Sequence, residues 1–588
     1  MNSEMRSLIA ASLCETVRAC IPFVDRRTGR VRLPGLQYRH QHLGYALAWL
    51  YAAKFDGNPF HGDREILELA LKTGEFKFGY QTARGGYDEE DAKEQGDEWG
   101  GYFLLRTMEV LGPKAMGAAR WKRWCRSLSR YADCHGARPF FFSAPNHEAW
   151  KCLTLDLAGR VLRRPDLAKL ADFGMTQLLR YQLAPGFWDE NRHHGPSMSY
   201  NYVMAEPLHM YWKATGRQDV REALVRLIDF MANYALPDGS TSGALDGRVT
   251  YSAGRVSKAL TLTPRGRRLN EIGWQWWVQP SRSQAHAPAP GRGHSGVPND
   301  AAATTAWTVD LLRFAGDGPT EPLGQESDGY LVEERDGNFR ALARRQGPWH
   351  VTLSGVFSDI PKETDNVFRL ERQSRIDLWH ERTGLLIGGG HTHRNLDRHF
   401  ANLYLDTNYF ADVDFGQVKG RWPETVRATY YPRLADVSSR DGASVLELTF
   451  GHAQAAFALR PISDSEFAVE LDMESVGLRR AFAGLPLAVF GDAKIKVDGK
   501  PLKARPAAQT PVRRRVEVTG SPRGAAWEVE LPRGAVARLG APFSQSAAHF
   551  DRKIRAHHRS LYEVALLAVE LETKGAPLAG PIVVRVKK

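Results

Sequence analysis

Cysteine is scarce. The 588 residues include five, Cys14, Cys20, Cys125, Cys134 and Cys152, all in the first part of the chain. An odd number at these spacings fits neither a disulfide framework nor a zinc site, so most are read as small buried hydrophobes. Long apolar runs are also missing. No stretch approaches the roughly eighteen residues of a membrane helix, and no membrane association is expected. The opening MNSEMRSLIAASLCETVRACIPF has an acid before its first arginine, a weak apolar segment broken at Cys14-Glu15, and no small-residue cleavage site. No signal peptide is read from it. That makes the cytoplasm the default expectation, and the periplasm or secretion the expectation if a leader has been removed. A CxxC or HxxxH finger, an RNP-like strand and a compact basic helix are absent too, so nucleic acid is not the expected partner. No internal repeat is sharp enough to name, and nothing marks an oligomeric state.

What the chain does have is an excess of positive charge. Seventy-nine Lys and Arg face 67 Asp and Glu, a net +12, in an otherwise ordinary globular composition with 43% hydrophobic and 25% charged residues. Spread along the chain, such an excess suits an anionic polysaccharide or oligosaccharide, although simple solubility accounts for it equally well. The length exceeds what one hydrophobic core supports, so more than one domain is expected.

Apolar spacing is helical from the start to about residue 315. Leu43, Leu47 and Leu50 share a face, and Ile66, Leu69 and Ala70 repeat the pattern behind Asp63 as N-cap. Further helices are expected over 99–111, 114–133, 148–162, 165–183, 204–215, 219–234 and 304–315. Gly, Pro, Asn and Asp break the chain between them, as at Gly112-Pro113 and Ala184-Pro185-Gly186. Beyond about residue 328 the period becomes two, with strands at 350–356, 374–380, 444–450, 467–473, 515–518, 527–531, 562–571 and 582–586. The expected architecture is α then β. An incomplete (α/α) toroid over 1–315 is followed by a linker over 316–328 and an antiparallel β-sandwich over 329–588.

Chemistry concentrates in Gly186–Tyr202, GFWDENRHHGPSMSYNY, and in Pro145-Asn146-His147-Glu148 before it. These stretches combine side-chain amides, three imidazoles, an arginine and two phenols, a mixture few packed cores need. Aromatic residues crowd the expected loops, among them Tyr87, Trp99, Tyr102, Trp150, Trp188, Trp274, Trp276 and Trp277. Core packing explains many of them, and sugar-ring stacking is the other use of such residues.

A helical toroid followed by a β-sandwich resembles the polysaccharide lyases of the heparinase II/III, alginate lyase and chondroitin/hyaluronate lyase group. Those enzymes place an Asn, often as Asn-His, at a helix start, with a catalytic Tyr about 55 residues on in a Gly/Pro/Ser turn. Here Asn146-His147 precedes Gly195-Pro196-Ser197-Met198-Ser199-Tyr200-Asn201-Tyr202, with Tyr202 55 residues after His147. The resemblance implies metal-independent β-elimination at a uronic acid. Asn146 and Arg192 would neutralise the carboxylate, His147 or His193 would take the C5 proton, and Tyr202 or Tyr200 would protonate the leaving oxygen. His147 is the slightly preferred base; His193, nine residues before Tyr202, suits the hyaluronate-lyase branch. His194 stands where that group carries an acid. Substrate contacts are expected from His194, Trp99, Trp150, Trp188, Glu190 and, from the sandwich, His350.

Plainer readings stand beside these. Asn146 could simply cap a helix beginning at Glu148, and either tyrosine could be a packing residue. No cofactor is expected. A structural zinc on His391 and His393 is a weak alternative, with no third ligand identifiable. A glycoside hydrolase would instead use paired carboxylates such as Asp97/Glu98 and Asp189/Glu190, and a non-catalytic polysaccharide-binding protein would keep only the cleft.

Overall fold

The computed structural model describes residues 1–33, 41–87, 96–141, 144–189, 196–245, 256–278, 301–323, 330–333, 339–356, 374–388, 403–405, 432–450, 453–476, 481–490, 493–502, 509–520, 523–539, 564–573 and 578–587. Eleven α-helices come first among them: α1 (Ser3–Cys20), α2 (Leu43–Ala52), α3 (Arg64–Phe78), α4 (Gly96–Met116), α5 (Ala118–Ala137), α6 (Pro145–Val161), α7 (Pro165–Arg180), α8 (Met198–Thr215), α9 (Gln218–Tyr234), α10 (Pro264–Val278) and α11 (Ala301–Phe314). All the described strands follow, from Tyr330 on.

The helices form two layers. Helices α11, α2, α4, α6 and α8 contact one another in that order as an inner row, and each packs an outer partner: α1, α3, α5, α7 and α9 respectively. Sequence explains the sorting. In α6 every residue from Pro145 to Gly159 is buried except His147, as expected of a helix enclosed on all sides. The outer α7 buries only Leu167, Ala171, Gly174, Met175 and Leu178, a stripe at helical spacing. This is the expected incomplete toroid.

Buried polar groups tie the row together. The Asp310 carboxylate of α11 accepts from the hydroxyls of Tyr45 in α2 and Tyr102 in α4, each at 2.8 Å. Arg106 donates to the Tyr102 hydroxyl at 2.9 Å, and Arg313 to that of Tyr45 at 2.9 Å. Lys258 is ion-paired to Glu206 of α8 and lies 4.0 Å from Asp310. Burial raises the phenols of Tyr45 and Tyr102 well above the ordinary tyrosine range, so both stay protonated donors.

The described strands form antiparallel sheets of ten and nine strands that share one apolar core. Trp349 of the first sheet meets Phe467 of the second at 5.0 Å between ring centroids, and its indole donates to the Ser463 carbonyl at 2.9 Å. The sandwich reading holds, with no helix past Phe314 among the described residues.

Several boundaries move. Helix α8 begins at Met198, six residues earlier than expected, so Tyr200 and Tyr202 lie on a helix and not in a turn. Tyr102 and Trp150, counted among the loop aromatics although they fall within the helices expected over 99–111 and 148–162, are helical and buried. Trp274, Trp276 and Trp277, also expected in loops, fall in α10, which with α1 was not anticipated. Gly112, at φ 64°, interrupts α4 before Pro113, and α5 starts only after Gly117.

Candidate active site

The two stretches singled out by sequence come to one end of the toroid. Helix α7 runs antiparallel to α6: a Cβ on Gly159 would meet Ala168, and one on Gly174 would meet the sulfur of Cys152. It also runs antiparallel to α8, because Arg217 beyond the end of α8 bonds Asp172 at 2.7 Å while Trp188 before its start bonds the Leu178 carbonyl at 2.9 Å. Helices α6 and α8 are therefore parallel, and they pack together. Asn146 and His147 on the first turn of α6 thus share an end with Tyr200 on the first turn of α8 and Tyr202 at the start of its second.

The end of α6 is built simply. Pro145 opens the helix, where its missing N–H is no loss, and Ala144 is the cap residue with no side-chain capping bond. Asn146 lies inside the first turn, which removes the reading of it as the cap of a helix starting at Glu148. It is buried, whereas His147 beside it is half-exposed. Glu148, buried, accepts from the Phe141 backbone at 2.7 Å, and Lys151 donates to the Arg138 carbonyl at 2.5 Å, so α6 fixes the chain leading into it.

At α8, Tyr202 is 5% exposed and joins the helical core, while Tyr200 is half-exposed. Residues two apart on a helix point about 200° apart, so the two phenols serve different surroundings. Between them Asn201, 1% exposed, accepts from the Trp188 N–H at 3.0 Å and donates to the carbonyls of Trp188 at 3.1 Å and Ser197 at 2.9 Å. Sequence reasoning passed over this residue; its place between two flagged tyrosines was the available signal. Upstream, Gly186 has φ 107°, and a Cβ there would lie 2.5 Å from the Arg226 carbonyl oxygen. Only glycine fits that approach.

Other expected contacts are placed differently. Trp150 and Trp188 are each 1% exposed. Trp150 packs against Tyr102 and Trp307 at 5.3 and 5.2 Å, so both tryptophans are core residues and not sugar platforms. Trp99, half-buried, sits edge-on to Trp150 and Trp307, each at 6.4 Å. His350 is fully buried in the sandwich, 3.3 Å from the Thr352 hydroxyl. Burial, with Arg345 adding to it, lowers its pKa to about 3, so it is a neutral interior imidazole and not a cleft contact. Glu190, Arg192, His193, His194, His391 and His393 lie outside the described residues. Among the described residues no group of three or more His, Cys, Asp or Glu could hold a metal, and no helix is long and apolar enough to cross a membrane.

The sandwich meets the toroid at the same end. Tyr234, closing α9, donates to the Ala341 carbonyl at 2.8 Å, and the Trp379 indole donates to Asp238 at 3.2 Å. Asp377 accepts from Ser242 at 2.6 Å and from the Ala244 N–H at 3.0 Å. The outer α9 ends where the inner α8 begins, so the tyrosine-bearing end of the toroid is also the end that faces the sandwich.

No family model and no curated protein matches the chain. Solved structures do. The chain is similar to the chondroitin AC lyase of Streptomyces coelicolor A3, at 14% identity and TM-score 0.57, over 98% of this chain and 79% of that one. It is similar to the Paenibacillus xanthan lyase at 9% identity and TM-score 0.60, spanning all of this chain but 57% of the other. It also resembles the heparan sulfate lyase of Pedobacter heparinus, at 10% identity, TM-score 0.51 and 84% of that chain. The toroid-plus-sandwich fold of this chain is the fold of these solved polysaccharide lyases.

Proposed function

We propose that the protein is a polysaccharide lyase acting on a uronate-containing, anionic polysaccharide by β-elimination. The observation that carries the proposal is the pairing, at one end of a lyase-like toroid, of the Asn146-His147 turn with the Tyr200–Tyr202 turn. The net charge of +12 favours a polyanionic substrate.

In the proposed reaction the uronate carboxylate is held by Asn146, in the first turn of α6 where the helix dipole favours negative charge, with Arg192 as second donor. Neutralising that carboxylate makes the C5 proton removable, because the developing enediolate is stabilised where its charge appears. His147 takes the proton, with His193 as the other choice. It is the one residue between Pro145 and Gly159 of α6 that is not buried. The C5–H electron pair becomes the C4–C5 double bond, the C4–O bond breaks, and Tyr202 gives its proton to the leaving oxygen, Tyr200 being the second candidate. No step requires a cofactor.

The test is ultraviolet absorbance of the unsaturated uronate on incubation with alginate, glucuronan, hyaluronan, chondroitin, heparan and ulvan. A rise with one of them supports the lyase and identifies the polymer. New reducing ends without that absorbance would replace the lyase by a hydrolase, and silence in both assays on all six polymers would sink the proposal.

A further inference from the structure

The connection entering α8 has a counterpart earlier in the chain, although no repeat was expected from the sequence. Tyr80-Gln81-Thr82-Ala83-Arg84-Gly85-Gly86-Tyr87-Asp88-Glu89 matches Tyr181-Gln182-Leu183-Ala184-Pro185-Gly186-Phe187-Trp188-Asp189-Glu190 at Tyr, Gln, Ala, Gly, Asp and Glu, with an aromatic at the eighth place of each. The geometry repeats as well. Gln81 donates to the carbonyls of Gly85 and Ser127, each at 2.8 Å, and Gln182 to those of Gly186 and Ala223 at 2.7 and 2.8 Å. Gly85 and Gly186 have φ of 104° and 107°, and a Cβ on either would strike the carbonyl of Arg130 or Arg226. Each unit leaves an outer helix, α3 or α7, docks on the next outer helix, α5 or α9, and leads into an inner one, α4 or α8.

The two copies act as an internal control. What they share belongs to the toroid: the glutamine and glycine dock each connection identically. What only the second copy has calls for another explanation. At the same offset, Tyr200, Asn201 and Tyr202 correspond to Trp99, Gly100 and Gly101. The phenols are already candidates for chemistry. Asn201 is the remaining difference, and its three hydrogen bonds tie Trp188 and Ser197 to the turn that carries both tyrosines. A bridge between Asp189 and Pro196 closes the same stem.

We propose that Asn201 is a positioning residue of the candidate site, holding the tyrosine-bearing turn of α8 in register with the connection that precedes it. Its kinetic half rests on the lyase reading; its structural half does not. Asn201→Ala removes the acceptor for the Trp188 N–H and the donor for both carbonyls. On the polymer that the wild type cleaves, kcat is expected to fall about 100-fold with KM within a few-fold, the scale on which small misplacements act. Hydrogen exchange at the Trp188 amide is expected to lose its protection. Gln81→Ala, which cuts the docking bonds of the first copy to Gly85 and Ser127, is expected to lower Tm and leave kcat unchanged.

Asn201→Asp gives a readout that a loss of stability alone does not. A protonated carboxyl can accept from the Trp188 N–H and donate to one carbonyl, whereas an ionised one faces two carbonyl oxygens. Burial raises that carboxyl's pKa, so activity relative to wild type at each pH is expected to be highest at acid pH and to fall as pH rises. Wild-type kcat in a folded Asn201→Ala, or a flat pH ratio for Asn201→Asp, overturns the proposal, and the pH series decides if the alanine variant does not fold. Should the wild type cleave no uronate polymer, the lyase reading fails while exchange at Trp188 still decides the structural role: loss of protection supports it, and retention overturns it.

Discussion

Two phenols two places apart on one helix are separated by their surroundings more than by their spacing. Sequence pattern alone set Tyr200 and Tyr202 as near equals, because in a turn either could reach a substrate. On α8 they diverge: Tyr202 is nearly enclosed and Tyr200 is half-exposed. A general acid works best where water is excluded and its proton is aimed at one atom, which favours Tyr202. Tyr202→Phe is therefore expected to lower kcat by about 10² to 10⁴-fold, the usual contribution of general acid catalysis, with Tm within a few degrees of wild type. Tyr200→Phe is expected to affect KM more than kcat. Steady-state kinetics on the identified polymer checks both, and a collapse of kcat in Tyr200→Phe alone would transfer the acid role to Tyr200.

Helix α6 was legible in its body and at its finish, where Leu162 is followed by Arg163-Arg164-Pro165, but its start was expected at Glu148, three residues late, because Pro145 read as a break and not as the first helical residue. The strands over 349–356 and 466–475 were legible because apolar and polar residues alternate along them in sequence, although burial follows that alternation only in the second, every residue from Trp349 to Gly355 being buried. Helix α10, PRGRRLNEIGWQWWV, was not: three arginines near its start and three tryptophans near its end hide the apolar stripe. Helix α1 was hidden by a mixed polar composition around Met5, Ile9, Leu13 and Val17, whose shared face is clear only once it packs on α11. The polar tie at Asp310 had no local signature, since Tyr45 and Tyr102 are 265 and 208 residues away. Its importance is testable. Asp310→Ala leaves two buried phenols without their acceptor, a defect that costs about 1–3 kcal/mol for each unsatisfied group, and removes the carboxylate 4.0 Å from Lys258, which keeps its pair with Glu206. A large fall in Tm is expected. Asp310→Asn, which keeps one acceptor, should lose less, and equal stability of the wild type and Asp310→Ala would show that Asp310 does not hold the row of inner helices together.

Across the whole molecule, stability is expected to depend on pH most strongly through three interior imidazoles, with His380, which burial shifts in the same direction, beside them. His135 closes α5, His209 lies in α8 and His350 in the sandwich, and burial, reinforced by nearby lysine or arginine, lowers each pKa to about 3. The ring nitrogens of His135 and His209 have no hydrogen-bond partner among the described residues, so no acceptor compensates a charged form. Unfolding returns each ring to an ordinary pKa near 6.5. Above about 6.5 neither state binds the protons, and the fold is at full strength with respect to these groups. As pH falls towards 3 the unfolded chain takes them up and the folded chain does not, so stability falls with pH. Each histidine contributes about 1.4 kcal/mol per pH unit across that window, and three together about 4 kcal/mol. Denaturant midpoints measured from pH 7.5 to 5 should therefore drop steeply, and His209→Leu should reduce the slope by one proton, whatever it does to the midpoint at pH 7.5. A flat profile would mean that the interior imidazoles can be protonated in place, and an unchanged slope in His209→Leu would remove His209 from the account.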